Sequence, residues 1–262
     1  MIMLFRLSVV LWLMAFLMIV VMPEKWVFAV SLISGNIVLV AAMVMCTRCG
    51  FWGANIVRLP PGSMKRGEIA LTFDDGPDVQ VTPRVLDILD RYGVKASFFC
   101  IGERAAAQSD LVAEIIRRGH SVENHSYHHP YLFAFYGSAA LKREIVSTQK
   151  TLLDNGVNAR FFRAPFGFRS PFLDGVLASC RLSHVAWTRR GYDAVWTNPD
   201  TVFLRLARKL SAGDVLLLHD GGSARTVQGQ PVVLDVLPRL LERCATLGLV
   251  SVSLPMAFED GE

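Results

Sequence analysis

The sequence predicts a parallel α/β domain, an incomplete barrel, carried behind an apolar N-terminal hairpin. Uncharged stretches run from Leu7 to Met22 and from Trp26 to Cys46. Beyond residue 66, short runs rich in Val, Ile, Leu and Phe alternate with stretches of helical period, as in βα units whose strands are buried on both faces. At 262 residues the chain is somewhat short for a full eight-unit barrel.

Hydrophobic residues make up 52% of the chain, and the excess lies at the front. The second uncharged run suffices to span a bilayer, which takes roughly 20 apolar residues. The first reaches that length only with Met3 to Phe5 and Arg6 counted. Pro23, Glu24 and Lys25 between them read as a tight polar turn. Two successive runs without a small-residue cleavage site do not resemble a cleaved signal peptide. Residues 1–46 are therefore expected to form two transmembrane helices, residues 47–66 a linker containing Pro60, Pro61, Gly62 and Ser63, and residues 67–262 the catalytic domain. The turn offers only Lys25, whereas the outer ends carry Arg6, Arg48, Arg58, Lys65 and Arg66. Cations stay on the cytoplasmic side, so the expectation is a bacterial-type inner-membrane protein with two spans and a cytoplasmic domain.

The net charge of +4 is accounted for by cations that would meet anionic lipid. No basic stripe with interleaved aromatics points to nucleic acid. The five cysteines, Cys46, Cys49, Cys100, Cys180 and Cys244, are odd in number and lack framework spacing, which argues against a disulfide scaffold. Cys46 and Cys49, without a second pair or a nearby His, read as a palmitoylation site or plain membrane-edge cysteines.

Strands are expected at 68–73, 95–101, 120–124, 160–164, 182–188, 214–219 and 249–254, with helices at 82–92, 109–118, 138–155, 170–179, 199–211 and 232–247. Thr82 and Ser109 open two of the helices as candidate N-caps, and each of these helices runs up to a Gly. In parallel barrels the reactive groups gather at the C-terminal ends of the strands. Those ends carry Asp74-Asp75, then His125-Ser126-Tyr127-His128-His129, Arg163-Ala164-Pro165-Phe166, Trp187 with Asp193, and His219-Asp220. A single Asp-Gly-Pro turn is ordinary turn chemistry. Two imidazoles and a carboxylate converging from several strand ends suit a divalent metal of the zinc kind with an open position.

TFDDGP (72–77), HSYHH (125–129), RAPFG (163–167) and LLLHD (216–220) together resemble the motif series of the polysaccharide deacetylase family, carbohydrate esterase family 4. The resemblance covers roughly residues 66 to 255. It implies a distorted (β/α)7 barrel and metal-dependent removal of an N-acyl group, N-acetyl above all, from an amino sugar. It also implies Asp75, His125 and His129 as metal ligands, for Zn2+ or else Co2+ or Ni2+. Asp74 would be the general base and Arg163 its partner. His219 would be the general acid, supported by Asp193; Trp187 and Leu217 would shape the acyl pocket, and the backbone N–H of Phe166 would complete an oxyanion site with the metal. WTRRGYDAVW (187–196) departs from the family's more acidic fourth motif but retains an acid at Asp193. His128 is a spare imidazole, ranked below His129 on spacing.

PYLFAFYG (130–137) adds Tyr131, Phe133, Phe135 and Tyr136, either core packing or an aromatic lip at the membrane surface. With the hairpin, that lip points to a lipid-linked hexosamine such as an undecaprenyl-phosphate sugar. The alternatives are an extracytoplasmic polysaccharide or peptidoglycan deacetylase, and a deformylase of a lipid-linked amino sugar.

Overall fold

The computed structural model describes residues 2–259, with side chains from Leu7 onward. Met1, residues 260–262 and the Arg6 side chain used in the orientation reading lie outside the described residues. Helix α1 (Ile2–Val21) leads through a short turn at Pro23–Lys25 into α2 (Trp26–Met45), which folds back along it. Ser8 Oγ and Asn36 exchange hydrogen bonds of 2.9 and 2.6 Å between the two helices, so the polar pair is satisfied within apolar surroundings. Among the described residues, Pro23–Met45 is long and apolar enough to cross a membrane, whereas Leu7–Val21 is shorter.

Two expectations about the next segment need correction. Cys46 and Cys49 are joined in a disulfide. The turn that ends α2 brings their Cα atoms to 5.5 Å, within bonding reach. The expected linker, in turn, is fastened to the barrel. Trp52 and Leu59 are buried, Pro61–Lys65 forms helix α3, and Ile56 and Arg58 bridge to Val185 and Asp214. Arg169, almost fully buried, donates to the carbonyls of Cys49, Trp52, Gly53 and Ala54. One guanidinium thereby locks this segment onto the barrel.

The domain then follows the expected alternation. β1 (Glu68–Gly76), α4 (Thr82–Arg91), β2 (Ala96–Cys100), α5 (Gly102–Ala107), α6 (Ser109–Arg117), β3 (Ser121–Asn124) and α7 (Ser138–Asp154) come first. β4 (Phe161–Phe162), α8 (Leu173–Ser179), β5 (Ser183–His184), β6 (Arg189–Arg190), α9 (Pro199–Ala207), β7 (Val215–His219), α10 (Val232–Thr246), β8 (Val250–Ser251) and α11 (Leu254–Glu259) complete it. The sheet runs β5-β4-β3-β2-β1-β7-β6, with β8 on β1, and every ladder is parallel. This is a parallel sheet rolled into a partial barrel. The single strand expected at 182–188 is split. Its first half pairs with β4, and its continuation, β6, pairs with β7. One stretch of chain thereby links the two ends of the sheet.

The helices pack by the amphipathic stripes that predicted them. α4 buries Val85, Leu86, Ile88 and Leu89, and α10 buries a face from Val232 to Cys244, both against Leu71, Phe73, Leu216 and Leu218 of the sheet. At about 25 cal/mol per Å2 of apolar surface, each such Leu contributes roughly 1.5–3 kcal/mol. Thr82 and Ser109 are not caps: each is the first helical residue and makes no capping bond. Thr82 Oγ1 instead accepts from Asp78 N and donates to Asp220 Oδ2 at 2.6 Å.

Candidate active site

Neighbouring residues of a regular strand face opposite sides of the sheet, so Asp74 and Asp75 should diverge. A register break between Asp74 and Gly76 in the pairing with β2, together with a left-handed φ of 68° at Asp75, brings both carboxylates to one pocket. Gly76 is required there, because a Cβ would lie 2.2 Å from Asp220 Oδ2.

His125 follows directly on β3. Its Nδ1 lies 2.8 Å from the Arg163 carbonyl oxygen, which only accepts, so Nδ1 carries a hydrogen and Nε2 is the nitrogen turned to the site. That Nε2 is 3.3 Å from Asp75 Oδ1, and His129 Nε2 is 3.2 Å from the same oxygen. Asp75 Oδ1 is buried without a hydrogen bond, and the candidate ligand atoms of Asp75, His125 and His129 lie within 4.8 Å of one another. An orphaned carboxylate oxygen facing two imidazole nitrogens fits a divalent cation.

Burial alone would raise the Asp75 carboxyl, but the imidazoles of His125, His219 and His129 hold it far below the usual carboxylate range. Burial and the neighbouring His125 push the His129 imidazole down to about 4, leaving it neutral near pH 7, as a metal ligand must be.

Asp74 has one oxygen fixed and one facing the site. Arg163, fully buried, donates Nη1–H to Asp74 Oδ1 at 2.6 Å and to Thr72 Oγ1 at 2.8 Å. Its Nε and Nη2 donate to the Val185 and Ala186 carbonyls, and the guanidinium stacks on Phe99 at 4.1 Å. Every face of the arginine is engaged. Asp74 Oδ2 is 3.8 Å from His125 Nε2.

Across the ladder from Asp74 sits His219 of β7. Asp193 accepts from the His219 backbone N–H at 2.8 Å and pairs with its Nδ1 at 2.9 Å, leaving Nε2 free. Burial works against a charged imidazole here, but the buried Asp193 carboxylate overcomes it and raises His219 to about 9.

Asp74, Asp75, His125, His129 and His219 line one cavity of about 210 Å3, walled by Phe166, Gly167, Trp187, Arg190, Ala194, Val195 and Leu217. All the site residues expected from sequence, including the more distant Arg163 and Asp193, thus meet at one place. His128 does not join them. It is exposed, with Nδ1 2.8 Å from Glu144 Oε1. Arg190 was missed, although it follows Trp187 at a strand end; its guanidinium lies over Trp187 and Tyr192. Asp75, His129 and Phe166, all pocket residues, have positive φ, backbone strain of the kind that gathers at functional sites. The aromatic run divides. Phe133 is core, whereas Tyr131 and Phe135 stand in the open.

The family model for polysaccharide deacetylases matches residues 62–183. A peptidoglycan-N-acetylglucosamine deacetylase of Bacillus cereus is 32% identical over 202 residues, 76% of this chain and 70% of that protein. A chitooligosaccharide deacetylase of Sinorhizobium fredii is 33% identical over 157 residues, 58% of this chain and 72% of its own length. The solved family 4 carbohydrate esterase from Streptomyces lividans, in complex with acetate, superposes with a TM-score of 0.64 at 33% identity, covering 71% of this chain and 91% of that one. With the fold, the strand-end geometry and these likenesses in agreement, the chain belongs to the polysaccharide deacetylase family, carbohydrate esterase family 4, and is a carbohydrate N-deacetylase.

Proposed function

We propose that the protein removes the N-acetyl group of a lipid-linked amino sugar, a hexosamine of the N-acetylglucosamine type, at the membrane surface. Asp75, His125 and His129 hold a divalent cation, Zn2+ by the nitrogen and oxygen donors, with Co2+ or Ni2+ also accepted. Such a cation, when bound, polarises the amide carbonyl and acidifies water. Asp74, held by Arg163 through one oxygen, takes the proton of the attacking water with the other. As the carbon–nitrogen bond breaks, His219 gives its Nε2 proton to the departing amine, and acetate and a free amino sugar result. Asp193 keeps the His219 ring oriented and charged. Trp187, Leu217 and Phe166 enclose the acetyl group and restrict water.

The observation that carries this reading is the shared cavity, in which Asp75 Oδ1 faces two imidazoles while Asp74 is anchored separately by Arg163. The test is acetate release by the full-length protein, with metal content measured alongside. Asp74→Asn is expected to keep its metal and lose turnover, by at least about 100-fold for loss of a general base. Undiminished turnover by that variant would sink the mechanism.

The lipid-linked substrate and the two-span hairpin are supported by the apolar α1 and α2 and by the exposed rings of Tyr131 and Phe135. The cation bias of Arg48, Arg58, Lys65 and Arg66 over Lys25 favours a cytoplasmic domain. A second reading, with the domain outside and a wall polymer as substrate, is favoured by the Cys46–Cys49 disulfide, since such bonds persist in oxidising compartments. A reporter fused at the C-terminus separates the two: alkaline phosphatase activity there would exclude the cytoplasmic side. Lipid mass spectrometry of a deletion strain should show one lipid-linked sugar heavier by one acetyl group, or by one formyl group if the acyl group is formyl.

A further inference from the structure

Resting on the lipid-linked reading above, we propose that the groove between α2 and the aromatic loop after β3 is the seat of the substrate's hydrocarbon chain. The groove has a volume of about 600 Å3. One wall is a single stripe of α2, Ile37, Val40, Ala41, Val44 and Met45, joined by Trp12 of α1. Their spacing of three and four residues places them on one helix face. From Ile37 to Met45 that stripe is about 12 Å long at 1.5 Å per residue. The opposite wall belongs to the catalytic domain, with Tyr131, Phe135, Tyr136, Phe168 and Phe172.

Three features fit a chain of methylenes and no polar ligand. The polar side chains of α1 and α2 in the lining, Ser8 and Asn36, are turned to each other, and Ser170 Oγ donates to the Tyr136 carbonyl. What remains exposed in the lining is largely hydrocarbon. Tyr131 and Phe135 are 86% and 81% exposed, although the neighbouring Phe133 is buried. Two large rings left out of the core beside an apolar groove are surface for a hydrophobic partner.

The position selects the substrate's own chain as that partner. The Tyr131 ring stacks on Phe166 at 5.6 Å, and Phe166 packs against His129 at 4.8 Å. Phe166 is also a wall of the catalytic cavity. A chain lying in the groove therefore ends one aromatic ring away from the candidate metal ligands. Arg169, which follows the RAPFG motif, ties residues 49–54 to the barrel and so holds the end of α2 beside that mouth. A water-soluble glycan has no use for such a wall, whereas a polyprenyl or acyl chain entering from the bilayer does.

The test uses the full-length protein in detergent micelles and two synthetic N-acetylglucosaminyl phosphates, one with a long polyprenyl chain and one with a chain of a single prenyl unit. Val40→Trp and Ala41→Trp fill the groove with bulk and add no charge. The expected result is a fall in the ratio of long-chain to short-chain kcat/KM of at least about tenfold, the factor lost with roughly two buried methylenes. A long-chain substrate bearing a photoreactive diazirine should label residues 36–45 and 131–136, and unlabelled long-chain substrate should compete. An unchanged ratio in both variants overturns the groove, as does labelling that a diazirine phospholipid reproduces and substrate does not displace. If the wild-type protein deacetylates neither lipid-linked compound yet acts on chitooligosaccharide, the lipid-linked reading itself fails, and the groove proposal falls with it.

Discussion

Arg163 Nη1 lies 2.6 Å from Asp74 Oδ1, with the arginine wholly removed from solvent and three further N–H groups bonded to the Thr72 hydroxyl and the Val185 and Ala186 carbonyls. This pair fixes one oxygen of the proposed base and leaves the other turned to the cavity. Burial lowers the arginine's pKa, and the adjacent carboxylate opposes that shift. Arg163→Leu would strand Asp74 as an uncompensated buried charge and is expected to destabilise the protein by about 3–5 kcal/mol. Denaturant titration measures this, and a loss below about 1 kcal/mol, the level of an exposed pair, would contradict it. Asp74→Asn with Arg163→Leu should cost less than the sum of the single changes.

If His219 is the general acid proposed above, it and Asp193 should set an alkaline limit on turnover. The imidazole must be protonated to donate, and it stays protonated up to about 9. The rate should therefore hold at neutral pH and fall as pH climbs through about 9. In Asp193→Asn the opposing carboxylate is gone while burial remains, so the limb should move down by more than about two pH units. The stability sign is the same: a raised imidazole pKa contributes fully below its unfolded value near 6.5 and loses that contribution through about 9. A pH–rate profile unmoved by Asp193→Asn would remove Asp193 from this role.

Removal of metal should abolish acetate release and lower the thermal midpoint together, because Asp75, His125 and His129 are then left as an unneutralised cluster. Zn2+, Co2+ or Ni2+ should restore both. His129→Ala should bind metal at least about tenfold more weakly, whereas His128→Ala, whose ring faces Glu144, should bind as the wild type does. Elemental analysis after gel filtration decides between them, and metal loss in His128→Ala alone would reverse the ligand assignment.

Gly76→Ala places a methyl against Asp220, a buried carboxyl that desolvation raises to about 7 and that accepts from Thr82. The overpacking should cost about 1–3 kcal/mol and loosen metal binding by displacing Asp75. Asp220→Ala in the same chain should return part of that stability. Calorimetry of the single and double variants would show this as coupling, and strict additivity would rule it out.

Much of the barrel could be read from the chain because it depends on local pattern. Strands with both faces buried need continuous apolar runs, and helices that cover them need apolar stripes. The pattern missed α3, α5 and α11, which have only 5, 6 and 6 residues, too short for a periodic signal. It also gave no warning that one run, 182–190, would serve two ladders, since pairing is decided by neighbours far along the chain. Cys46 and Cys49 were misread for a similar reason: a spacing of three does not fix whether the turn brings their Cα atoms into bonding range.

By itself the sequence determined the βα order, the strand ends at which Asp, His and Arg collect, and the apolar character of the first helices, all properties of residues near one another along the chain. Only the tertiary structure decided that Asp74 and Asp75 face the same cavity, through a bulge and a positive φ at Asp75. It also decided that Arg163 reaches Asp74, and that Asp193 reaches His219 across 26 residues. Arg169, in turn, pins residues 49–54 to the barrel. Distances of this kind are set where the sheet closes and buried charges must find partners, and no periodicity along the chain records them.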